Sequence, residues 1–249
     1  MQVTHHTWYS SHLGKDMSLN HYGQQGQPLL AFPPQEGTHR NFEDFGMIEA
    51  LRPLLEGDVI QLFTVDSVDS ESWTAKDQPP RQRGLRHEAY VRYILDEVLP
   101  LIRYHTDKPL WTTGVSMGGY HAANFLFRFP HAFGGCIALS AVYELSDFIG
   151  DYMDDIVYYN SPLRFLPNLE DPYYMDELRR KIIVLAVGQG AWEEPMLTQT
   201  RQMAEILRQK NIPAWVDIWG PDVHHDWPWW HKQLPYFLEK LLAPSAIPR

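Results

Sequence analysis

The chain has 249 residues, a formal net charge of −10, one cysteine and 44% hydrophobic residues. That composition excludes a disordered chain, a disulfide framework and a Cys-based zinc site, and the acidic balance argues against a nucleic-acid partner. No stretch approaches the ~20 apolar residues of a membrane span, and the start MQVTHHTWYS has no basic segment leading into an apolar run. Neither a membrane anchor nor a signal peptide is expected, and a cytoplasmic location follows by default.

Strand and helix signals alternate along the chain. Residues 16–22 read as an early strand ended by Gly23 and Gly26, and 29–32 as a short buried strand stopped by Pro33 and Pro34. Residues 42–55 are helix-like with a stop at Gly57-Asp58, and 59–65 (VIQLFTV) form a central strand. Apolar residues at helical spacing (Val91, Ile94, Leu95, Val98, Leu101) predict a helix over 87–103, which Pro100 should kink or shorten. Residues 110–113 are the next strand, 120–129 a helix closed by Pro130, and 136–139 a strand whose Cys136 reads as a small core residue. The stretch 140–180 has no clean period and is rich in Tyr, Asp and Pro, which suggests a small cap-like insertion. Strand 182–187, helix 198–209, strand 214–219 and helix 230–242 complete the chain. Continuous apolar strands between helices predict an α/β fold with a mostly parallel central sheet covered on both faces. No repeat or linker divides it, so residues 1–249 are read as a single domain.

The most informative motif is Gly114-Val115-Ser116-Met117-Gly118-Gly119. It follows a strand and opens a helix, the setting that Gly-x-Ser-x-Gly requires. The Ser is held on a sharp turn, and a Cβ at either flanking position would clash. Ser116 is thereby the candidate nucleophile, and the N–H of Met117, at a helix start, the candidate oxyanion donor.

A serine hydroxyl needs a general base at neutral pH, and this turn implies the chain order Ser, acid, His. Two histidines, His224 and His225, follow the last strand, and His225 is favoured because it opens the pattern His-Asp-Trp-x-x-Trp. His224 is then a loop or pocket-wall residue. The loop after strand 182–187 offers Glu193 and Glu194 as the acid. Glu193 is favoured, since Glu194 precedes Pro195 and looks like the first turn of a helix; Asp222 is held in reserve. His224, His225, Asp226 and His231 could in principle ligate a metal, but sequence neighbours rarely converge on one ion and no His-x-x-x-His pair occurs. No metal or other cofactor is expected.

With these residues placed, the chain resembles the α/β-hydrolase group called putative esterases, which includes esterase D-like S-formylglutathione hydrolases, feruloyl esterases and mycolyltransferases. Gly-Val-Ser-Met-Gly-Gly-Tyr at 114–120, the strand–loop–helix around Glu193, and His225-Asp226-Trp227 with Trp230 carry the likeness. It spans nearly the whole chain and implies the α/β-hydrolase fold. The chain departs from the group in two places. The usual Gly-x-x-Asp acid position is Ala191 here, and the usual His-Gly after the early strand is Phe32-Pro33-Pro34-Gln35. Prolines have no N–H, so the second oxyanion donor falls to Gln35 or a neighbour such as Glu36. Trp73, Trp192 and Trp227 are candidate walls of a substrate pocket.

The expected activity is that of a serine carboxylesterase acting on a small or medium carboxylic ester. An acyltransferase or a thioesterase of the S-formylglutathione hydrolase type would use the same acyl-enzyme. A non-catalytic binding protein on a hydrolase scaffold is the alternative from another class, and the complete Ser, acid and His argue against it. The expected partner is a small-molecule ester, with no nucleic acid and no membrane. Acyl and alcohol specificity and oligomeric state stay open.

Overall fold

The structure, a computed structural model, describes residues 1–243; the last six residues of the expected 1–249 domain lie outside the described ones. The chain opens with a hairpin of β1 (Val3–Ser10), which the apolar pattern did not signal, and β2 (Lys15–Tyr22), the expected early strand. β1 lies at the edge of the sheet and alternates exposed and half-buried residues, so it lacks the continuous apolar run of a central strand. β3 (Gln27–Phe32) follows. The predicted helix 42–55 is two helices, α1 (Asn41–Asp44) and α2 (Met47–Glu56), broken where Gly46 takes φ 85°. Then come β4 (Ile60–Val65) and α3 (Pro80–Tyr93), which starts earlier than its apolar spacing suggests because Pro80 stands at the first helical position.

Pro100 does not end the helix. A π turn over Ile94–Val98 shifts the hydrogen-bond ladder just before α4 (Leu99–His105), so the missing proline N–H falls where the ladder is already displaced. Glu97 on that turn accepts hydrogen bonds from Trp8 Nε1 at 2.7 Å and Ser10 Oγ at 2.9 Å, which holds the edge hairpin against the helix.

β5 (Trp111–Val115) leads directly into α5 (Met117–Arg128), followed by β6 (Gly135–Leu139). Residues 140–180 contain four short helices, α6 (Ser146–Ile149), α7 (Asp155–Tyr159), α8 (Pro162–Phe165) and α9 (Pro172–Arg179). β7 (Ile182–Val187), α10 (Glu194–Gln209), β8 (Trp215–Ile218) and α11 (Trp227–Leu242) close the fold.

Among the described residues the eight strands form one sheet in the order β1-β2-β4-β3-β5-β6-β7-β8. Strands β3 to β8 are parallel, and β2 runs antiparallel to both its neighbours. Strand periodicity divides the core in two. Leu30, Phe32, Phe63, Cys136, Ala138 and Leu185 face α3, α4, α5 and α10. Leu29, Ala31, Leu62, Ile137, Leu139 and Val184 face α2 and α11. The sheet thus carries apolar residues on both sides, as a parallel sheet between two helical layers requires. No described helix is long and apolar enough to cross a membrane.

Near the hairpin, His21 stacks on Phe63 with ring centroids 4.0 Å apart and lies beside His105. Burial, followed by the charge of His105, pushes its pKa down to about 4 against the opposing hydrogen bond to Gln61. A free imidazole titrates near ~6.5. Stability from keeping His21 neutral is therefore complete above that pH and is lost as the pH falls towards 4. The melting temperature is expected to drop across this window, and His21→Gln should make the drop shallower; thermal melts at stepped pH check it.

Candidate active site

The loops that carry the predicted site residues all leave one edge of the sheet. Phe32 is in register with Gly114, Val115 with Leu139, Leu139 with Ala186, and Val187 with Ile218, so β3, β5, β6, β7 and β8 end side by side. This carboxyl edge is where open α/β sheets bind ligands.

Ser116 stands between β5 and α5 with φ 56° and ψ −123°. A side chain in the left-handed region is strained by ~1–3 kcal/mol, and the surrounding backbone holds it there. The Ser116 N–H donates to the Leu139 carbonyl at 2.9 Å, and the Ser116 carbonyl accepts from the Tyr120 N–H at 3.2 Å. A Cβ on Gly114 would lie 2.2 Å from the Gly118 carbonyl oxygen, and one on Gly118 would lie 2.2 Å from that of Phe32. The two glycines are required by close backbone approach. Met117 opens the helix, so its N–H has no intrahelical acceptor.

His225 Nε2 lies 2.9 Å from Ser116 Oγ. Its Nδ1 lies 3.3 Å from Glu193 Oε2. Glu193 is fully buried, whereas His225 keeps 17% of its side chain exposed. The other Glu193 oxygen accepts from Ser140 Oγ at 2.7 Å and from the Gly188 N–H at 3.2 Å. Ser140 Oγ in turn accepts from Trp230 Nε1 at 3.0 Å. A chain of hydrogen bonds thus runs from Trp230 through Ser140, Glu193 and His225 to Ser116. The Trp230 ring also meets His225 edge-on at 5.0 Å. An imidazole placed this way can accept a proton from the hydroxyl, and the buried carboxylate can fix its tautomer.

The loops bearing Glu193 and His225 are stapled together by their backbones. The Gly190 N–H donates to the Val223 carbonyl at 2.8 Å, and the His225 N–H to that of Ala191 at 3.0 Å. His224 faces away from Ser116, and its Nδ1 accepts from the Ala191 N–H at 2.9 Å. Glu194 begins α10, where Thr198 Oγ1 reaches it at 3.4 Å, and Asp226 caps α11 by accepting from the Trp227 N–H. His231 Nε2 donates to the Phe45 carbonyl. His224, His225, Asp226 and His231 therefore point to different partners, and no metal-holding cluster of three His, Cys, Asp or Glu occurs among the described residues.

The three candidate pocket tryptophans do not gather into one wall. Trp73 is fully buried and packs with Met117, Tyr120, Val142 and Leu145. Trp227 stacks on Phe45 and meets Phe42 edge-on, filling the space between α1 and α11. Trp192 is 84% exposed with φ 67°. Their large rings satisfy different packing needs, which sequence proximity to Glu193 or His225 does not reveal. Sequence reasoning also missed Ser140 and the indole N–H of Trp230. The one local signal was a polar residue directly after the apolar strand β6.

Gln35 lies in a turn closed by the Gly37 N–H donating to Pro34 at 2.9 Å, and its own N–H donates to no backbone acceptor among the described residues. The Glu36 N–H, by contrast, is taken up by Asp69 Oδ2 at 3.1 Å.

The sequence matches the family described as "Putative esterase" over residues 10–241. The chain belongs to this esterase family. It is a carboxylesterase-type hydrolase. No curated protein matches it in sequence. Among solved structures, a ferulic acid esterase superposes with a TM-score of 0.76 at 18% identity, covering 97% of each chain. An S-formylglutathione hydrolase from Staphylococcus aureus gives 0.67 at 16% identity, over 97% of this chain and 96% of that one. A fluorophosphonate-binding serine hydrolase of the same organism gives 0.70 at 16% identity, over 98% and 99%. At these identities the likeness is one of fold, and the fold is that of α/β-hydrolases.

The esterase's loop docking admits a direct test. A Cβ on Gly188 would lie 2.2 Å from the Val223 carbonyl oxygen, so Gly188→Ala must push the Glu193 and His225 loops apart. A loss of ~1–3 kcal/mol is expected in urea titration, together with a fall in ester hydrolysis.

Proposed function

We propose that the protein is a serine carboxylesterase that cleaves small or medium carboxylic esters through an acyl-enzyme on Ser116. The observation that carries this reading is the Ser116 Oγ to His225 Nε2 contact of 2.9 Å, backed by the buried Glu193. His225 takes the hydroxyl proton as Ser116 attacks the ester carbonyl, and returns it to the departing alcohol. Glu193 holds the proton on His225 Nδ1 and stabilises the imidazolium. The oxyanion is held by the N–H groups of Met117 and Gln35. Water, activated by the same imidazole, then attacks the acyl-enzyme and releases the acid. No cofactor takes part.

The segment 140–180 is proposed to act as a small cap on the acyl side. Its Val142, Leu145, Ile149 and Val157 pack with Met117, the residue next to the nucleophile. That packing favours compact acyl groups over long chains.

A fluorophosphonate probe is expected to label wild type and leave Ser116→Ala unlabelled. Hydrolysis of p-nitrophenyl esters from acetate to octanoate should fall by ~10⁴-fold or more in that variant. Labelling that survives the substitution would overturn the assignment. Glu193→Gln should lower kcat by ~10³–10⁴-fold, because the amide no longer selects the imidazole tautomer.

The second donor can be tested through the backbone. Gln35 occupies the position in its turn that tolerates proline, so Gln35→Pro removes the N–H with little change of shape. A kcat loss of ~10²–10³-fold with KM nearly unchanged is expected. Gln35→Ala, which keeps the N–H, should lose less than ~10-fold in the same steady-state assay.

A further inference from the structure

A second buried polar pair lies behind the nucleophile turn, outside the hydrogen-bond chain from Trp230 to Ser116. Asp69 and His121 are both closed off from solvent, and His121 Nε2 lies 2.8 Å from Asp69 Oδ1. His121 sits in the second turn of α5, the helix that begins at Met117. The other carboxyl oxygen, Oδ2, accepts the Glu36 N–H at 3.1 Å. One carboxyl group therefore ties the helix carrying one oxyanion donor to the turn carrying the other.

The turn needs such a tie. Glu36 is held at φ 56°, in the left-handed region that non-glycine residues seldom occupy. It stands third in the turn closed from Gly37 to Pro34, where a positive φ marks a type II turn. The peptide between Gln35 and Glu36 then aims the Glu36 N–H at Asp69. Thr74 Oγ1 reaches Glu36 Oε1 at 2.6 Å, and Ser67 Oγ donates to the Gly37 carbonyl at 2.9 Å, so the same loop grips the turn on both sides of the Asp69 contact. Apolar residues would fill the space of Asp69 and His121 without the desolvation cost of a buried carboxyl group. The one service they could not provide is an acceptor for the Glu36 N–H.

We propose that Asp69, backed by His121, is a positioning pair that sets the Gln35 N–H at its working distance from the Met117 N–H and so fixes the width of the oxyanion hole. This rests on the reading of Ser116 as nucleophile. Without the carboxyl group the Glu36 N–H loses its partner, the turn relaxes, and the Gln35 donor moves off the developing oxyanion. Such a donor acts on the transition state more than on the bound ester, so kcat falls and KM does not.

The test uses p-nitrophenyl butyrate kinetics, fluorophosphonate labelling and thermal melts on two variants. Asp69→Leu with His121→Phe keeps volume and removes both polar groups, so it should fold with a melting temperature close to wild type. Its kcat should fall by ~30–300-fold with KM within about threefold, and Ser116 should still be labelled. Asp69→Asn, whose amide oxygen can accept from Glu36, should recover most of the loss. A folded double variant with kcat within threefold of wild type, or one whose loss lies in KM, overturns the proposal. Should the double variant not fold, Asp69→Ala is measured alone and in a Gln35→Pro background. Positioning predicts a kcat loss for Asp69→Ala that vanishes once the Gln35 N–H is gone; no loss, or additive losses, overturn it. Absence of labelling in the wild-type protein would instead reject the Ser116 reading on which this one rests.

Discussion

Ser116 keeps its left-handed backbone because three stretches of main chain meet around it with no side chain between them. The carbonyl oxygen of Gly118 occupies the place of a Gly114 Cβ, and those of Phe32 and Pro33 occupy the place of a Gly118 Cβ. Hydrogen bonds from Ser116 to Leu139 and from Tyr120 to Ser116 close the turn. Because the end of β3 is pressed onto the start of α5, the turn after Phe32 is delivered beside the helix N-terminus. Were those glycines larger, the hydroxyl, the Met117 N–H and the Gln35 turn would lose their common frame.

The other half of the site is assembled from longer range. Ser140 follows β6, Glu193 follows β7, His225 follows β8 and Trp230 belongs to α11. These strands end in register, so short loops bring four side chains into one line of hydrogen bonds. The buried carboxylate of Glu193 has three donors facing it, in Ser140, Gly188 and His225. An ionised group can be kept away from water only when so surrounded. Truncating Ser140 or Trp230 therefore disturbs Glu193, although neither touches Ser116.

Strand and helix alternation was legible because the central strands are mostly apolar and every crossover except that from β6 to β7 has a helical period. β7 was placed to the residue, since IIVLAV has no competing reading. The outer strand of the edge hairpin was not legible: Val3–Ser10 carries polar residues at alternate positions and is held to the helical layer through Glu97. The Gly-x-Ser-x-Gly turn and the two loops after β7 and β8 pointed to Ser116, Glu193 and His225 by local residue types and chain order, and the structure brings these three side chains together. Asp69, His121 and Ser140 announced nothing, for the acid or base side chains they pair with lie more than fifty residues away in the chain. The three tryptophans end in different places because an aromatic ring near a site in sequence can turn towards any of several cores or towards solvent.

Ala191 is a small residue whose main chain fixes the path of this loop. Its N–H and its carbonyl are both engaged, with His224 and with the His225 N–H, and its side chain faces solvent. A carboxylate there would point away from the imidazole unless the loop were rewound and both staples broken. A glutamate two positions later, Glu193, reaches the imidazole with the loop as it runs. Moving the carboxylate from one position to the other therefore needs a change of backbone path and not an exchange of side chains alone.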